Sequence, residues 1–109
     1  MTLPMSRAAA ALLRALRARS GATEDRIILI SFRSTDWNSL TFSGERHVIE
    51  LRVGGPEAKI VTERLTAGLS DAEFAIPGQI VADIALTRGP TAAADGSLAL
   101  TIEALTVAD

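Results

Sequence analysis

Cysteine and tyrosine are absent from this 109-residue sequence, and histidine occurs once, at His47. Without cysteine the chain has no disulfide, no thiolate nucleophile and no cysteine ligand for zinc. A single imidazole is too few for a typical zinc site, so the sequence predicts neither a metal nor a cofactor. A cysteine-free chain also fits a reducing compartment, and we expect a cytoplasmic protein.

Long apolar runs are missing as well. No segment approaches the roughly 20 apolar residues that a membrane-spanning helix needs, so no membrane location is predicted. The apolar segment 8–13 is bracketed by Arg7 and Arg14 and is shorter than the apolar part of a usual secretion signal. All but one of the 11 basic residues are arginine and alanine is abundant, a bias that favours a bacterial origin.

The charges are few and unevenly distributed. The net charge is −2, but residues 1–20 carry four arginines and no acid, whereas acids outnumber bases in residues 71–109. Ordinary solvated charges are the simpler interpretation of this asymmetry, and the steering of partners or self-association is the alternative. With a pI of about 5.3 and no tyrosine, the chain lacks the basic, aromatic surface of a nucleic-acid-binding protein.

Helix and strand periodicities alternate along the chain. Apolar residues spaced by three and four predict helices over residues 4–19 and 56–68, with Gly21 and Gly68 as the glycines that favour their ends. Strand patterns follow the first helix at 26–34 and the second helix at 79–88 and 97–107.

The order of a helix followed by a β-hairpin occurs twice, in residues 3–53 and 55–107. At this length the sequence predicts a single domain, 1–109, with a possible internal αββ repeat. Two αββ units most simply build an α+β two-layer sandwich of αββαββ order. One four-stranded antiparallel sheet then carries both helices on one face.

The first hairpin is predicted to turn at Gly44, because glycine favours the first position of a tight two-residue turn. That register places Leu40 and Phe42 on the inward face together with His47. Residues 33–38 fit neither phase of the alternation, and we expect a bulge or bend there.

The sheet face away from the helices is predicted to be more apolar than a freely solvated face. Its expected apolar members are Ile27, Leu29, Val48, Val81, Ala85 and Ala99, with Leu105 and Val107 added if the last strand bulges. Its expected charged members are Arg33, Glu50, Arg52, Asp83 and Glu103. We therefore expect a homodimer interface that includes Ile27, Leu29, Val48, Arg52 and Val81.

Two residues invite a binding role. His47 is the only side chain whose ordinary pKa lies near neutrality, and Trp37 stands in a polar segment. The simpler alternative makes each of them structural: a half-buried histidine bonded to the backbone, and a tryptophan that closes one end of the core. The candidate binding residues are Arg33, Asp36, Trp37, Phe42 and His47.

No nucleophile–base pair, paired carboxylates or phosphate-binding loop can be identified in the sequence, so no catalytic residue is assigned. The sequence favours a non-enzymatic interaction domain that self-associates through its sheet face. The first alternative is a small-molecule-binding protein or enzyme with a pocket near Trp37 and His47. The second is an adaptor that binds a partner protein through its arginine-bearing first helix.

Overall fold

The computed structural model describes residues 5–23 and 26–109, and its architecture is the predicted α+β arrangement of αββαββ order. The elements are α1 (Arg7–Ser20), β1 (Ile27–Asn38), β2 (Ser43–Val53), α2 (Ala58–Thr66), a 3₁₀ turn over Leu69–Asp71, β3 (Gln79–Ala92) and β4 (Leu98–Ala108). Residue 4, where the first helix was expected to start, lies outside the described residues.

Helix α1 is delimited by the residue types that usually end helices. The hydroxyl of Ser6 accepts the N–H of Ala9 at 3.1 Å, which satisfies a donor of the first turn. Gly21 adopts a left-handed conformation with φ of 70° and donates its N–H to Ala18. The predicted apolar stripe is confirmed, because the residues that α1 buries are Ala8, Ala9, Leu12, Leu13, Leu16 and Ser20.

Two arginines of α1 serve the fold. Arg17 donates from Nη2 to the carbonyl of Ile27 at 3.2 Å. Arg19 donates to the carbonyls of Leu65 and Ala67 at the end of α2, where free carbonyls need partners. The basic character of α1 therefore helps to join the two helices and to hold the start of the sheet.

The four strands are antiparallel and follow the order β1-β2-β4-β3. The second strand of each predicted repeat therefore lies at the centre, and the first strand of each lies at an edge. Ile49 pairs directly with Ile102, and these two residues occupy matching positions in the two predicted repeat units. A gene duplication stays a prediction.

The core lies between the helices and one sheet face, which we call the inner face. Apolar residues of β2 and β4 alternate onto it without interruption, as predicted, and the helices cover them. The least exposed of its large apolar residues, all at 1% or less, are Leu12, Leu16, Ile27, Ile49, Leu51, Val53, Leu65 and Ile102.

The predicted hairpin turn at Gly44 is wrong. The turn instead lies between Asn38 and Ser43, where the N–H of Ser39 donates to the carbonyl of Phe42 at 2.8 Å. Leu40 is fully exposed and Phe42 is 53% exposed, so neither faces inward. Gly44 is needed within the strand, because a Cβ there would overlap the backbone of Thr106 and Val107.

The expected bend over residues 33–38 is also wrong, since β1 continues to Asn38. Its irregularity lies earlier, between Leu29 and Ser31, where Ile30 is an extra residue. An extra residue shifts the alternation of the strand by one position, so the side chains before it point to the opposite face from the predicted one. Ile27 and Leu29 therefore point inward. Their predicted place on the opposite face is therefore wrong.

A second bulge acts in the same way on β3. Ala82 is the extra residue between Val81 and Asp83. Val81 therefore packs against the core, and its predicted place on the opposite face is wrong. Ile80, which the alternation predicts to be inward, points outward and is 47% exposed.

Candidate functional site

The sheet face away from both helices, which we call the outer face, is the candidate site. Strand register assigns to it Ile28, Ser31, Arg33, Thr35 and Trp37 of β1; Gly44, Arg46, Val48, Glu50 and Arg52 of β2; Ala99, Thr101, Glu103, Leu105 and Val107 of β4; and Ile80, Asp83, Ala85, Arg88 and Thr91 of β3. No element within residues 5–23 and 26–109 covers this face.

An apolar row crosses one end of the outer face. Trp37 pairs with Gly44, Gly44 with Val107, and Val107 with Ile80. Because Gly44 has no side chain, nothing projects between Trp37 and Val107. Val107 is only 7% exposed although no helix lies over it, whereas Ile80 is 47% exposed. The row is therefore an apolar strip that is buried at Val107 and exposed to solvent at Ile80.

Other apolar side chains extend this surface. Ile28 and Ile30 are about half exposed near the opposite end of β1. Val48 and Leu105 are partly exposed on the central strands. Leu105 and Val107 reach this face through the regular alternation of β4, without the bulge that the sequence analysis invoked.

The outer face separates its charges by hairpin. The β1–β2 half carries three arginines and one acid: Arg33, Arg46, Arg52 and Glu50. The β4–β3 half carries two acids and one arginine: Asp83, Glu103 and Arg88. None of these seven makes an ion pair in the part of the chain that the structure describes. The charges are therefore available to groups outside the chain.

His47 lies on the inner face and is completely buried. Its Nδ1 lies 2.8 Å from the hydroxyl of Ser34, and its Nε2 lies 2.8 Å from the hydroxyl of Thr106. Burial lowers the pKa of His47 by disfavouring the charged ring, and the nearby carboxylate of Glu45 opposes this in part. A neutral imidazole donates from one nitrogen and accepts at the other, so the two hydroxyls satisfy it fully.

The Ser34–His47 contact has the spacing of a nucleophile and its base. However, both ring nitrogens are occupied and the ring is sealed from solvent, which leaves it no position for a substrate proton. The arrangement is therefore that of a hydrogen-bonded core histidine.

The structure does not bring the five predicted binding residues into one pocket. By strand register, Arg33 and Trp37 lie on the outer face, whereas Asp36 and His47 lie on the inner face. Phe42 belongs to the turn between β1 and β2. The sheet itself separates the tryptophan from the histidine.

A groove of about 430 Å³ lies between α2 and the β3–β4 hairpin. Sequence reasoning missed it, because Gly55 and Pro56 read only as a helix breaker. Thr62 lines the groove and is buried, and its hydroxyl has no hydrogen-bond partner among the described residues. A volume of this size accommodates a small molecule or a few waters.

Within residues 5–23 and 26–109, no three carboxylate, histidine or cysteine side chains are grouped as a metal site would require. In the same residues, no helix is long and apolar enough to cross a membrane. Comparison of the chain with protein-family models, curated proteins and solved structures gives no match.

Proposed function

We propose that this protein is a non-enzymatic interaction domain of the bacterial cytoplasm that forms a homodimer through its outer face. The observation that supports it is the surplus of exposed apolar surface where no helix covers the sheet: Ile28, Ile30 and Ile80 are each about half exposed. Ile28 and Ile30 lie near one end of the face, and Ile80 lies in the apolar row with Trp37 and Val107 at the other end, so both ends offer apolar surface to a partner.

The size of the outer face sets the expected strength of the dimer. Four strands at about 4.8 Å spacing, each contributing about 30 Å of length, give a face of roughly 550 Å². Two copies would together bury about 1,100 Å², near the lower limit for specific protein interfaces. We therefore expect a dimer that dissociates on dilution.

The outer face carries both charged and apolar side chains, as expected for a homodimer that dissociates. Fully apolar surfaces are typical of obligate interfaces, whereas unpaired charges set among apolar side chains give a weaker and more selective contact. In a sandwich of two such sheets, the faces would lie about 10 Å apart with their side chains interdigitated.

The first experiment is the molar mass in solution, measured by light scattering on a sizing column across a range of concentrations. Val48 lies on the outer face of central strand β2, so Val48→Arg is expected to make the protein monomeric without unfolding it. Ile60→Arg is the matched control, because Ile60 is 49% exposed on α2, away from the sheet. That variant should dimerise like the parent protein.

Two outcomes contradict the proposal. A parent protein that stays monomeric at every concentration would leave the outer face free. A dimer that persists in Val48→Arg but is lost in Ile60→Arg would move the interface to the helices.

The alternatives have less support. An adaptor that acts through α1 would have only Arg7 and Arg14 exposed to a partner, because Arg17 and Arg19 donate to backbone carbonyls of the same chain. An enzyme or small-molecule pocket built from Trp37 and His47 would need both on one side of the sheet, and they lie on opposite faces.

A further inference from the structure

We infer that the two copies pack outer face to outer face about a two-fold axis parallel to the strands. The β1–β2 half of each copy then lies over the β4–β3 half of the other. The inference rests on the proposed self-association and adds the orientation of the partner, a second copy of the same chain.

Symmetry allows two simple arrangements of facing sheets. A two-fold axis parallel to the strands reverses the strand order and keeps each residue at its level along the strand. Strand β1 then faces β3 of the second copy, and β2 faces β4. An axis in the interface at right angles to the strands does the opposite: each strand faces its own copy, with the levels inverted.

The parallel axis pairs opposite charges. Arg46 would lie over Leu105 of the second copy, which Asp83 flanks on the neighbouring strand and Glu103 flanks along its own strand. Arg33 would lie over Ala85, which has the same two acids beside it. Two of the three arginines of the basic half thus meet acids, whereas Arg52 would lie over Ala99.

The reverse charge pair agrees with this arrangement. Glu50 is the one acid in the basic half, and Arg88 is the one base in the acidic half. Glu50 would lie over Thr101 of the second copy, and Arg88 is the strand neighbour of Thr101. Glu50 and Arg88, which depart from the charge pattern of their own halves, would therefore also lie near each other across the interface.

The apolar rows also coincide. At the same end of the face, Trp37 would lie over Ile80 of the second copy, and Gly44 would lie over Val107. The bare backbone at Gly44 leaves room for the facing side chain. Burying apolar against apolar here supplies the main attraction, while the charges select the orientation.

The perpendicular axis conflicts with the middle of the face. Arg33, Val48, Glu103 and Ala85 form its central level, and each of them would face its own copy. Glu103 would then lie against Glu103 near the centre of the interface, and Arg33 against Arg33. The same axis would set Arg46 over Glu50 and Asp83 over Arg88, which are favourable pairs. The parallel axis is preferred because it places no charge directly over a like charge, and like charges in contact across an interface are strongly unfavourable.

A charge exchange tests whether opposite charges pair across the interface, and the substitution of Glu103 described below separates the two axes. One double variant carries Arg33→Glu and Arg46→Glu, and the other carries Asp83→Arg and Glu103→Arg. Each alone would place like charges in contact, so its self-association should weaken at least about tenfold. Mixed in equal amounts, the two should form a heterodimer with both contacts restored, detected by native mass spectrometry and sedimentation, with circular dichroism confirming that each is folded.

A single substitution gives a second, independent readout. Glu103→Gln removes an acid that the parallel axis places beside Arg33 and Arg46 of the second copy, so the dimer should weaken. The perpendicular axis predicts the opposite, because the same change relieves the contact between two glutamates.

The failures can be told apart. A parent protein that dimerises while the mixed variants do not recombine, or while Glu103→Gln strengthens the dimer, overturns the orientation and leaves the proposed function standing. A parent protein that is monomeric throughout overturns both.

Discussion

The two faces of the sheet are built from alternate residues of the same four strands, yet they differ in how their apolar side chains are covered. On the inner face Ile49, Leu51 and Ile102 are at most 1% exposed beneath the two helices. On the outer face Ile28 and Ile80 remain about half exposed, beside arginines and acids. The helices cover the inner face, whereas the outer face has apolar surface that residues 5–23 and 26–109 leave uncovered.

The largest expected effect comes from a cavity in the inner face. Ile102 is completely buried at the centre of the sheet, so Ile102→Ala should lower the free energy of unfolding by about 3 kcal/mol. Val48→Ala on the outer face should cost less than about 1 kcal/mol in a dilute, monomeric sample. Urea unfolding measures both, and similar losses would show that the outer face is packed within the chain.

A smaller effect is expected at Gly44, where β2 lies close to the backbone of β4. A Cβ at Gly44 would overlap the backbone of β4, so Gly44→Ala should cost about 2 kcal/mol of unfolding free energy. Gly54→Ala is the matched control, since nothing lies within 4 Å of its added Cβ, and it should change stability by no more than about 0.5 kcal/mol. Equal effects in urea titrations would contradict the close approach.

The smallest effect is a pH dependence of the inner face. The pKa of His47 is lowered in the folded chain, so the unfolded chain binds a proton first as the pH falls below about 6.5. Stability from this residue is therefore fully present near pH 7.5 and declines as the pH falls toward the lowered pKa of the folded state. The groups facing the ring are the hydroxyls of Ser34 and Thr106, which do not ionise, and the carboxylate of Glu45.

Unfolding free energies measured between pH 7.5 and pH 5 test this. His47→Gln keeps a polar side chain and removes the titration, so its stability should vary less over that interval than that of the parent protein. Because His47 is the only histidine, no other imidazole contributes. An identical pH dependence in both proteins would show that the ring is not protected from protonation.

The contrast between the faces also explains which predictions from sequence succeed. Along β2 and β4 the alternation is uninterrupted, so Ile49, Leu51 and Ile102 are correctly predicted to be inward. On β1 the extra residue Ile30 reverses the faces of the residues before it, and on β3 the first of three register shifts, at Ala82, does the same. Ile30 stands in an isoleucine-rich run and Ala82 is small, so neither gives a sequence signal of a bulge.

Two features of the site depend on contacts between distant parts of the chain. His47 is bonded to Ser34 and Thr106, which are 13 and 59 positions away, and periodicity carries no information about such pairs. The sequence predicts a turn at Gly44, but glycine is also favoured where two strands approach closely, so the residue type alone does not distinguish the two. The charge complementarity of the outer face likewise follows only once strand order and register are known.

The central pairing of β2 with β4 also describes how such a chain could have been assembled. Each half supplies one helix, one edge strand and one central strand, and neither half has a complete sheet. Two separate αββ peptides that paired through their second strands would reproduce this order, with Ile49 opposite its own counterpart where Ile102 now stands. Under the predicted duplication, the Gly54-Gly55 link would correspond to a tether between those two peptides.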